Sequence, residues 1–358
     1  MKGVNKENIK KHALNEFLSE YKELNTDNKY RPVAVGRYGI RKRESIYSKE
    51  LAKDYSKNKL IHKDTLTVGM GSKQIDIGIL IEDETFAVSP AYHTYKIQGI
   101  RCKYLDYCLQ SKNIEMFSLY AKRGSRQGKS IDLKRWLTYK IPVYSEEDQI
   151  VIEDNLNKIN VVIELRRKQL ELLDELVRAR FVEMFGEIED CDKWESKIWN
   201  EVVTIKNGRD YKKVLVSDGG YPVVGTGGEI ARASKYLCPE NTIVVGRKGS
   251  INNPMLMKEK FWNVDTAFGV IPNSDYLHYQ YFYCFCKFYN FMKLNKATTL
   301  PSTTKADLLK IRINIPPLEL QNQFASFVQE IDKSRSRIQK SLEASQELFD
   351  SLMQEYFG

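Results

Sequence analysis

Residues Asn155 to Gly186 and Phe327 to Gly358 are two versions of one 32-residue segment, placed 172 residues apart. The first reads NLNKINVVIELRRKQLELLDELVRARFVEMFG and the second FVQEIDKSRSRIQKSLEASQELFDSLMQEYFG. Nine positions are identical without a gap: Ile159/Ile331, Lys168/Lys340, Leu170/Leu342, Glu171/Glu343, Glu175/Glu347, Leu176/Leu348, Glu183/Glu355, Phe185/Phe357 and Gly186/Gly358. Chance would give about two. A duplication of this period restricts the chain to two copies of one unit, so whatever one half folds into, the other half repeats.

The copies extend upstream. Glu147 and Gln149 match Glu319 and Gln321 at the same offset, and Lys140-Ile141-Pro142 aligns with Asn314-Ile315-Pro316 after a two-residue slip. Thr65-Leu66-Thr67-Val68-Gly69 resembles Thr242-Ile243-Val244-Val245-Gly246, and Phe86 to Tyr92 resembles Trp262 to Phe268. Each unit is therefore a module followed by a helix, and the modules have diverged more than the helices. The expected boundaries are a first module over residues 1–140, a first helix region over 141–186, a second module over 187–314 and a second helix region over 315–358.

Within the helices, Leu156, Ile159, Ile163, Arg166, Leu170, Leu173, Val177, Arg180 and Met184 recur at alternating steps of three and four, the seam of a coiled coil. Ile331, Arg335, Ile338, Leu342, Ser345, Phe349, Leu352 and Tyr356 repeat that register. The first helix leads into the second module and the second helix leaves it, so pairing along their length has to be antiparallel. At 1.5 Å per residue such helices span ~48 Å, and they are expected to hold the modules apart on a pseudo-two-fold spacer. The modules read as strand-rich, with strands over Thr65 to Val68, Ile75 to Ile81, Thr242 to Val245 and Ile311 to Ile315. Glycine-rich loops are expected at Gly69 to Ser72, Gly225 to Gly228 and Gly246 to Ser250. The fold class is α+β. Asn5 to Leu24 is expected to be a helix, with Ile9, Ala13, Phe17, Tyr21 and Leu24 on one face.

The chain has 56 Lys and Arg against 47 Asp and Glu, a net charge of +9. That balance is compatible with a polyanionic partner. Six cysteines include no CxxC pair; Cys284-Phe285-Cys286 would point its thiols opposite ways on a strand, which does not suit zinc. No apolar run reaches the length of a membrane span and no signal peptide opens the chain, so a reducing, cytoplasmic setting is expected. Tyr276 to Met292 is aromatic but interrupted by polar residues, and reads as a buried amphipathic helix.

Motifs for nucleotide binding, serine hydrolysis and metalloprotease chemistry are missing, as is the Asn- or Asp-Pro-Pro-aromatic motif of amino-methyltransferases. Acid-x-Lys triplets of the nuclease kind occur at Asp132/Lys134 and Asp210/Lys212, at the frequency expected by chance. Basic residues are instead interleaved with glycine, aromatics and hydroxyls. In the first module these are Arg37, Tyr38, Arg41, Lys42 and Arg43, then Arg123, Arg126 and Lys129. In the second they are Arg209, Lys212, Arg232, Arg247 and Lys248, with Thr226 in a glycine-rich loop. Lys and Arg neutralise phosphates, and the glycines would let backbone amides approach them. Arginines and the amides of Gln74 and Asn252 suit base edges in the major groove.

The order of these features resembles the specificity subunit of type I restriction-modification systems. The marks are Ile141-Pro142 with Glu146 to Gln149, Ile315-Pro316 with Glu319 and Gln321, the Phe-Gly helix ends, and Trp194-Glu195, Asn207-Gly208, Tyr221-Pro222 and Gly225 to Gly228 in the second module. The first module departs from the pattern in lacking a tryptophan opening. The resemblance implies two target-recognition domains reading an asymmetric, two-part double-stranded DNA site, with no catalysis on this chain. It implies two methyltransferase subunits and restriction subunits as partners, which would hold the S-adenosylmethionine, ATP and magnesium. The other readings are a specificity subunit of a two-subunit enzyme that cuts both sides of its site, and a coiled-coil scaffold with modules that bind no DNA.

Overall fold

The computed structural model describes residues 4, 9–36, 39–46, 54–123, 129–188, 193–296 and 299–358. The chain divides into two compact units, Met1–Leu165 with Ser341–Gly358, and Arg166–Lys340. Each unit thus takes part of both long helices, Glu146–Phe185 and Leu318–Phe357.

In the first unit a four-stranded antiparallel sheet runs in the order Leu18–Glu20, His93–Ile97, Thr65–Met70, Ile75–Leu80. The strand Thr65–Met70 is buried along nearly its whole length, because the sheet is covered on both faces. Leu66, Val68, Ile75 and Ile77 belong to the main core with Tyr104, Leu105 and Cys108 of the helix Cys102–Ser111. A hairpin, Val33–Gly36 with Gly39–Lys42, closes over Gly78, where an added Cβ would fall 2.6 Å from Ile40 Cγ1.

The first long helix starts on Ser145, whose Oγ accepts from the backbone of Asp148 at 3.2 Å, and Glu146, Glu147 and Asp148 fill the first turn. Both the cap and the acidic residues favour a helix start. Leu156, Ile159 and Ile163 pack in this unit's core with Leu352, Tyr356 and Phe357. Asn155 Nδ2 donates to Tyr356 Oη at 3.1 Å. The start of one long helix therefore lies against the end of the other.

The second unit repeats the plan. Its sheet has the order Val203–Asn207, Ala267–Pro272, Thr242–Gly246, Met255–Met257. The helix Tyr279–Phe288 packs Tyr281, Phe282 and Phe285 into its core with Val177, Phe181 and Phe185 from the end of the first long helix and Phe324 and Val328 from the start of the second. The counterpart of the first unit's hairpin is Tyr221–Gly225 with Gly228–Ala233, which runs parallel to Trp262–Asn263 as Pro32 runs parallel to Ala87, and which Leu215–Val216 extends into a four-stranded sheet. In both long helices every seam position is buried or half-buried, as the heptads require.

Three expectations are corrected. Residues 9–24 form no helix: Lys10–Ala13 is a strand paired with Lys140–Val143, Leu14–Glu16 a single 3-10 turn, and Leu18–Glu20 a strand on the sheet edge. The second unit opens alike, with Ser196–Ile198 on Arg312–Asn314 and the short helix Trp199–Val202. Leu14 and Trp199 follow these strands as counterparts and both have zero exposure, while Trp194 of the second module's opening lies before the strand and donates Nε1 to Phe185 O at 3.2 Å. The apolar spacing in residues 9–24 misleads because the buried side chains are Leu14 and Leu18, the first held by backbone bonding to Tyr139 O and the second by strand pairing with Ile97, both far off in the chain. Asn5 to Asn8 lie outside the described residues.

Second, the two-residue slip disappears. Ile141 and Ile313 are both fully buried, and Tyr104 and Tyr281 donate their hydroxyls to the carbonyls of Pro142 and Asn314 at 2.8 and 2.9 Å. The strands therefore keep the 172-residue offset, and the shared Ile-Pro pair is not in equivalent places. Third, Cys284 and Cys286 lie buried on a helix rather than a strand. Among the described residues no helix is long and apolar enough to cross a membrane.

Candidate nucleic-acid interface

In the second unit the segment Trp262 to Thr266 is a hub. The Asn263 side chain, wholly buried, donates to the carbonyls of Lys206 and Ala267 at 3.2 and 3.1 Å and holds the segment in place. Arg209 N donates to Asn263 O at 2.9 Å, and Trp262 Nε1 donates to Arg209 O at 2.9 Å. Gly208 packs so tightly here that a Cβ would meet Val264 O at 1.8 Å. On the other side Arg247 N and Lys248 N donate to Thr266 O at 2.8 and 3.2 Å. Thr226, at the tip of the hairpin Tyr221–Gly225 and Gly228–Ala233, brings its Oγ1 within 3.9 Å of where a Gly249 Cβ would lie.

Arg209, Thr226, Arg247 and Lys248 are thus gathered, and both arginines and the lysine are exposed. Lys212 follows Arg209 on an exposed turn in which its N–H donates to Asp210 Oδ1 at 3.0 Å. Arg232 is committed elsewhere: Nε pairs with Glu229 at 2.8 Å and Nη1 donates to Gly220 O at 3.4 Å. Asn252 uses its Oδ1 to accept from Phe291 N at 2.8 Å and anchors a loop.

The glycines of Gly246 to Ser250 do not present amides outward. The N–H groups of Arg247, Lys248 and Gly249 all donate to carbonyls, the last to Pro301 O at 2.9 Å. Gly246 is needed for packing, since its Cβ would sit 2.7 Å from Ile251 Cα. Positive charge in this loop is offered by side chains alone. Sequence reading missed the props, Asn263 and Thr303. Thr303, nearly buried, donates Oγ1 to Gly246 O at 2.7 Å; only the repeat of the Trp262 to Phe268 motif hinted at the first of them.

In the first unit Arg41 and Lys42 are exposed on the hairpin strand Gly39–Lys42, with Lys42 Nζ 3.8 Å from Glu84 and 5.6 Å from the Phe86 ring centre. Arg43 borders a cavity of about 530 Å³ lined also by Val35, Tyr55, Asp76 and Tyr92. Burial raises the Asp76 carboxyl above its ordinary range. Gln74 accepts from Gly71 N at 3.1 Å through its backbone carbonyl, closing the turn after Thr65–Met70. Arg123 and Lys129 fall on paired strands; Arg37, Tyr38 and Arg126 lie outside the described residues.

Both acid-x-Lys triplets have structural work. Asp132 caps the helix Leu133–Trp136, 172 residues before Thr304, which caps Lys305–Leu308. Asp210 closes the turn at Lys212. Burial pushes the Cys108, Cys238 and Cys284 thiols up to about 12, far from the thiolate that metals require. Among the described residues no group of three or more His, Cys, Asp or Glu side chains could hold a metal ion.

Residues 191–346, the second module and much of the second long helix, match the family described as the type I restriction modification DNA specificity domain. Two solved structures from type I restriction-modification systems resemble the whole chain in fold. The type I restriction-modification S subunit from M. genitalium aligns over 100% of this chain and 98% of its own, with a TM-score of 0.62 and 16% identity. A chain from work on complex assembly and conformational transition of the type I R-M system aligns over 99% of both, with a TM-score of 0.57 and 14% identity.

Proposed function

We propose that this chain is a specificity subunit that recognises an asymmetric, bipartite double-stranded DNA site and directs methyltransferase and restriction partners to it. One observation carries the reading: two units built on one plan carry their basic candidate residues on corresponding hairpins and loops that differ in length and sequence. The hairpin bearing Arg41 and Lys42 in the first unit and the hairpin beside Thr226 in the second hold the same place in the plan, each running parallel to the Phe86 or Trp262 segment, but the second has longer strands and a further strand, Leu215–Val216, on its edge. Shared scaffolds with unlike outer strands suit two half-sites of different sequence.

The partner side rests on the duplication. Five of the nine identities, Lys168/Lys340, Glu171/Glu343, Glu175/Glu347, Leu176/Leu348 and Glu183/Glu355, are at exposed positions. Leu176 and Leu348 are 46% and 43% exposed. A surface kept alike in both repeats without being needed for a core suits two copies of one partner, here the methyltransferase subunit. S-adenosylmethionine, ATP and magnesium belong to the partners in this reading.

Methylation mapping of a genome with and without this gene tests the proposal. The expected result is one two-part motif, with an unread gap, that loses methylation on deletion. An unchanged methylation pattern, together with no salt-dependent duplex binding in the presence of the methyltransferase subunit, would leave the scaffold reading in its place.

A further inference from the structure

Arg247 and Lys248 are adjacent, exposed and alike in charge, yet the fold treats their side chains differently. The backbone of Arg247 is held from both sides, by Thr266 O on its N–H at 2.8 Å and by Thr303 N on its carbonyl at 3.0 Å. Its head group is held as well: Nη1 donates to Asp265 O at 3.3 Å, and the guanidinium carbon lies 6.0 Å from the Phe268 ring centre. One donor of five is used, so a two-pronged edge of the guanidinium remains, pointing from a fixed base. Lys248 shares the backbone anchor on Thr266, but its ammonium has no partner among the described residues.

Phosphate neutralisation needs only a charge nearby, and a mobile lysine provides it. Reading a base needs two donors at fixed spacing, and guanine presents its O6 and N7 acceptors side by side in the major groove to such a fork. An arginine whose rotamer is already set loses little freedom on making that pair. Resting on the DNA-recognition reading above, we infer that Arg247 is a specificity-determining residue that reads a guanine in the half-site of the second unit, while Lys248 contacts phosphate. Arg232, paired with Glu229, has no such role.

The test is selection of bound duplexes from a random library by the full chain together with its methyltransferase subunit, for the unaltered protein and for Arg247→Lys, Arg247→Ala and Lys248→Ala. The unaltered chain is expected to select a guanine at one position that both Arg247 variants no longer require. Their affinity for the selected site falls by roughly five- to a hundredfold. For a site with that guanine replaced, Arg247→Lys binds as the unaltered chain does. Lys248→Ala keeps the guanine preference, weakens every sequence alike and lowers the slope of affinity against salt by about one. If Arg247→Lys keeps the full preference, or Arg247→Ala weakens all sequences uniformly, the assignment to guanine is wrong and DNA recognition stands. If the unaltered chain selects no sequence, the wider reading fails with it. Circular dichroism of each variant separates these outcomes from loss of fold.

Discussion

Gln321 has no exposed surface and makes three side-chain hydrogen bonds: Oε1 accepts from His278 N at 2.8 Å, and Nε2 donates to Tyr276 O at 2.9 Å and Pro316 O at 2.8 Å. It thereby satisfies an N–H at the start of the helix Tyr279–Phe288 and ties that helix to the first turn of Leu318–Phe357. Gln149 repeats two of these contacts, with Arg101 N at 3.2 Å and Tyr144 O at 2.9 Å. What the repeat keeps at these positions is thus a buried amide clasp. Gln321→Leu leaves buried polar groups unpaired and is expected to destabilise the second unit by about 2–4 kcal/mol, seen as a lowered urea midpoint for probes in that unit. Gly186 is a different kind of requirement. Its φ is +90° and no atom lies within 4 Å of an added Cβ, so Gly186→Ala meets backbone strain alone. About 1–2 kcal/mol is expected, and a larger loss would mean that the helix end is packed more tightly than the structure has it.

At the scale of elements, the Phe-Gly ends of the long helices are plugs. Phe357 meets Tyr104 at 5.4 Å between ring centres in the first unit, and Phe185 meets Tyr281 at 4.7 Å in the second. Both phenylalanines are 1% exposed. Each tyrosine in turn holds the strand before a long helix through its hydroxyl. Phe357→Ala and Phe185→Ala should each cost about 3–5 kcal/mol. Hydrogen exchange should quicken in Cys102–Ser111 for the first and in Tyr279–Phe288 for the second; faster exchange in both helices from either change would contradict separate plugs. Asp174 makes a polar clasp in the second unit, 2.8 Å from Lys287 and 3.1 Å from Arg335. Burial raises its carboxyl, but hydrogen bonds and charge from Lys287 and Arg335 outweigh it and hold the group below its ordinary value. A depressed value in the folded state gives stability that is present above the unfolded value, near 3.9, and is lost as pH falls through the folded one. The carboxyl is half exposed, so screening keeps the gain under about 1 kcal/mol. Asp174→Asn should lower stability by that amount at pH 7 and flatten the loss between about pH 5 and 3; an equally steep acid loss in the variant would rule out the clasp as its source.

For the whole molecule, the internal repeat made most of the architecture legible. Helix register, the strands at Thr65 and Thr242 and the antiparallel pairing of the helices within each unit all follow from heptads and β-branched runs whose partners are implied by the copy. The opening of the first module was not legible, because His12 pairs with Ile141 and no local spacing encodes a partner that distant. In the candidate interface, residue type suggested Arg232 and Asn252 as readily as Arg247, and what separates them is a pair with Glu229 on the same strand for the first and a tertiary bond to Phe291 for the second. The same dependence on scaffold sets up the last prediction. Exchanging residues 187 to 310 for the corresponding module of a relative cuts after Gly186 and before the strand Arg312–Asn314. That strand joins the module through backbone pairing with Ser196–Ile198, which any sequence of the same fold can supply, while Ile313 and Gln321 keep their buried places. The exchanged chain should therefore fold and change one half of the recognised DNA sequence, leaving the other half as it was. Selected-site sequencing decides the matter: a change in both halves would show that the modules do not read independently.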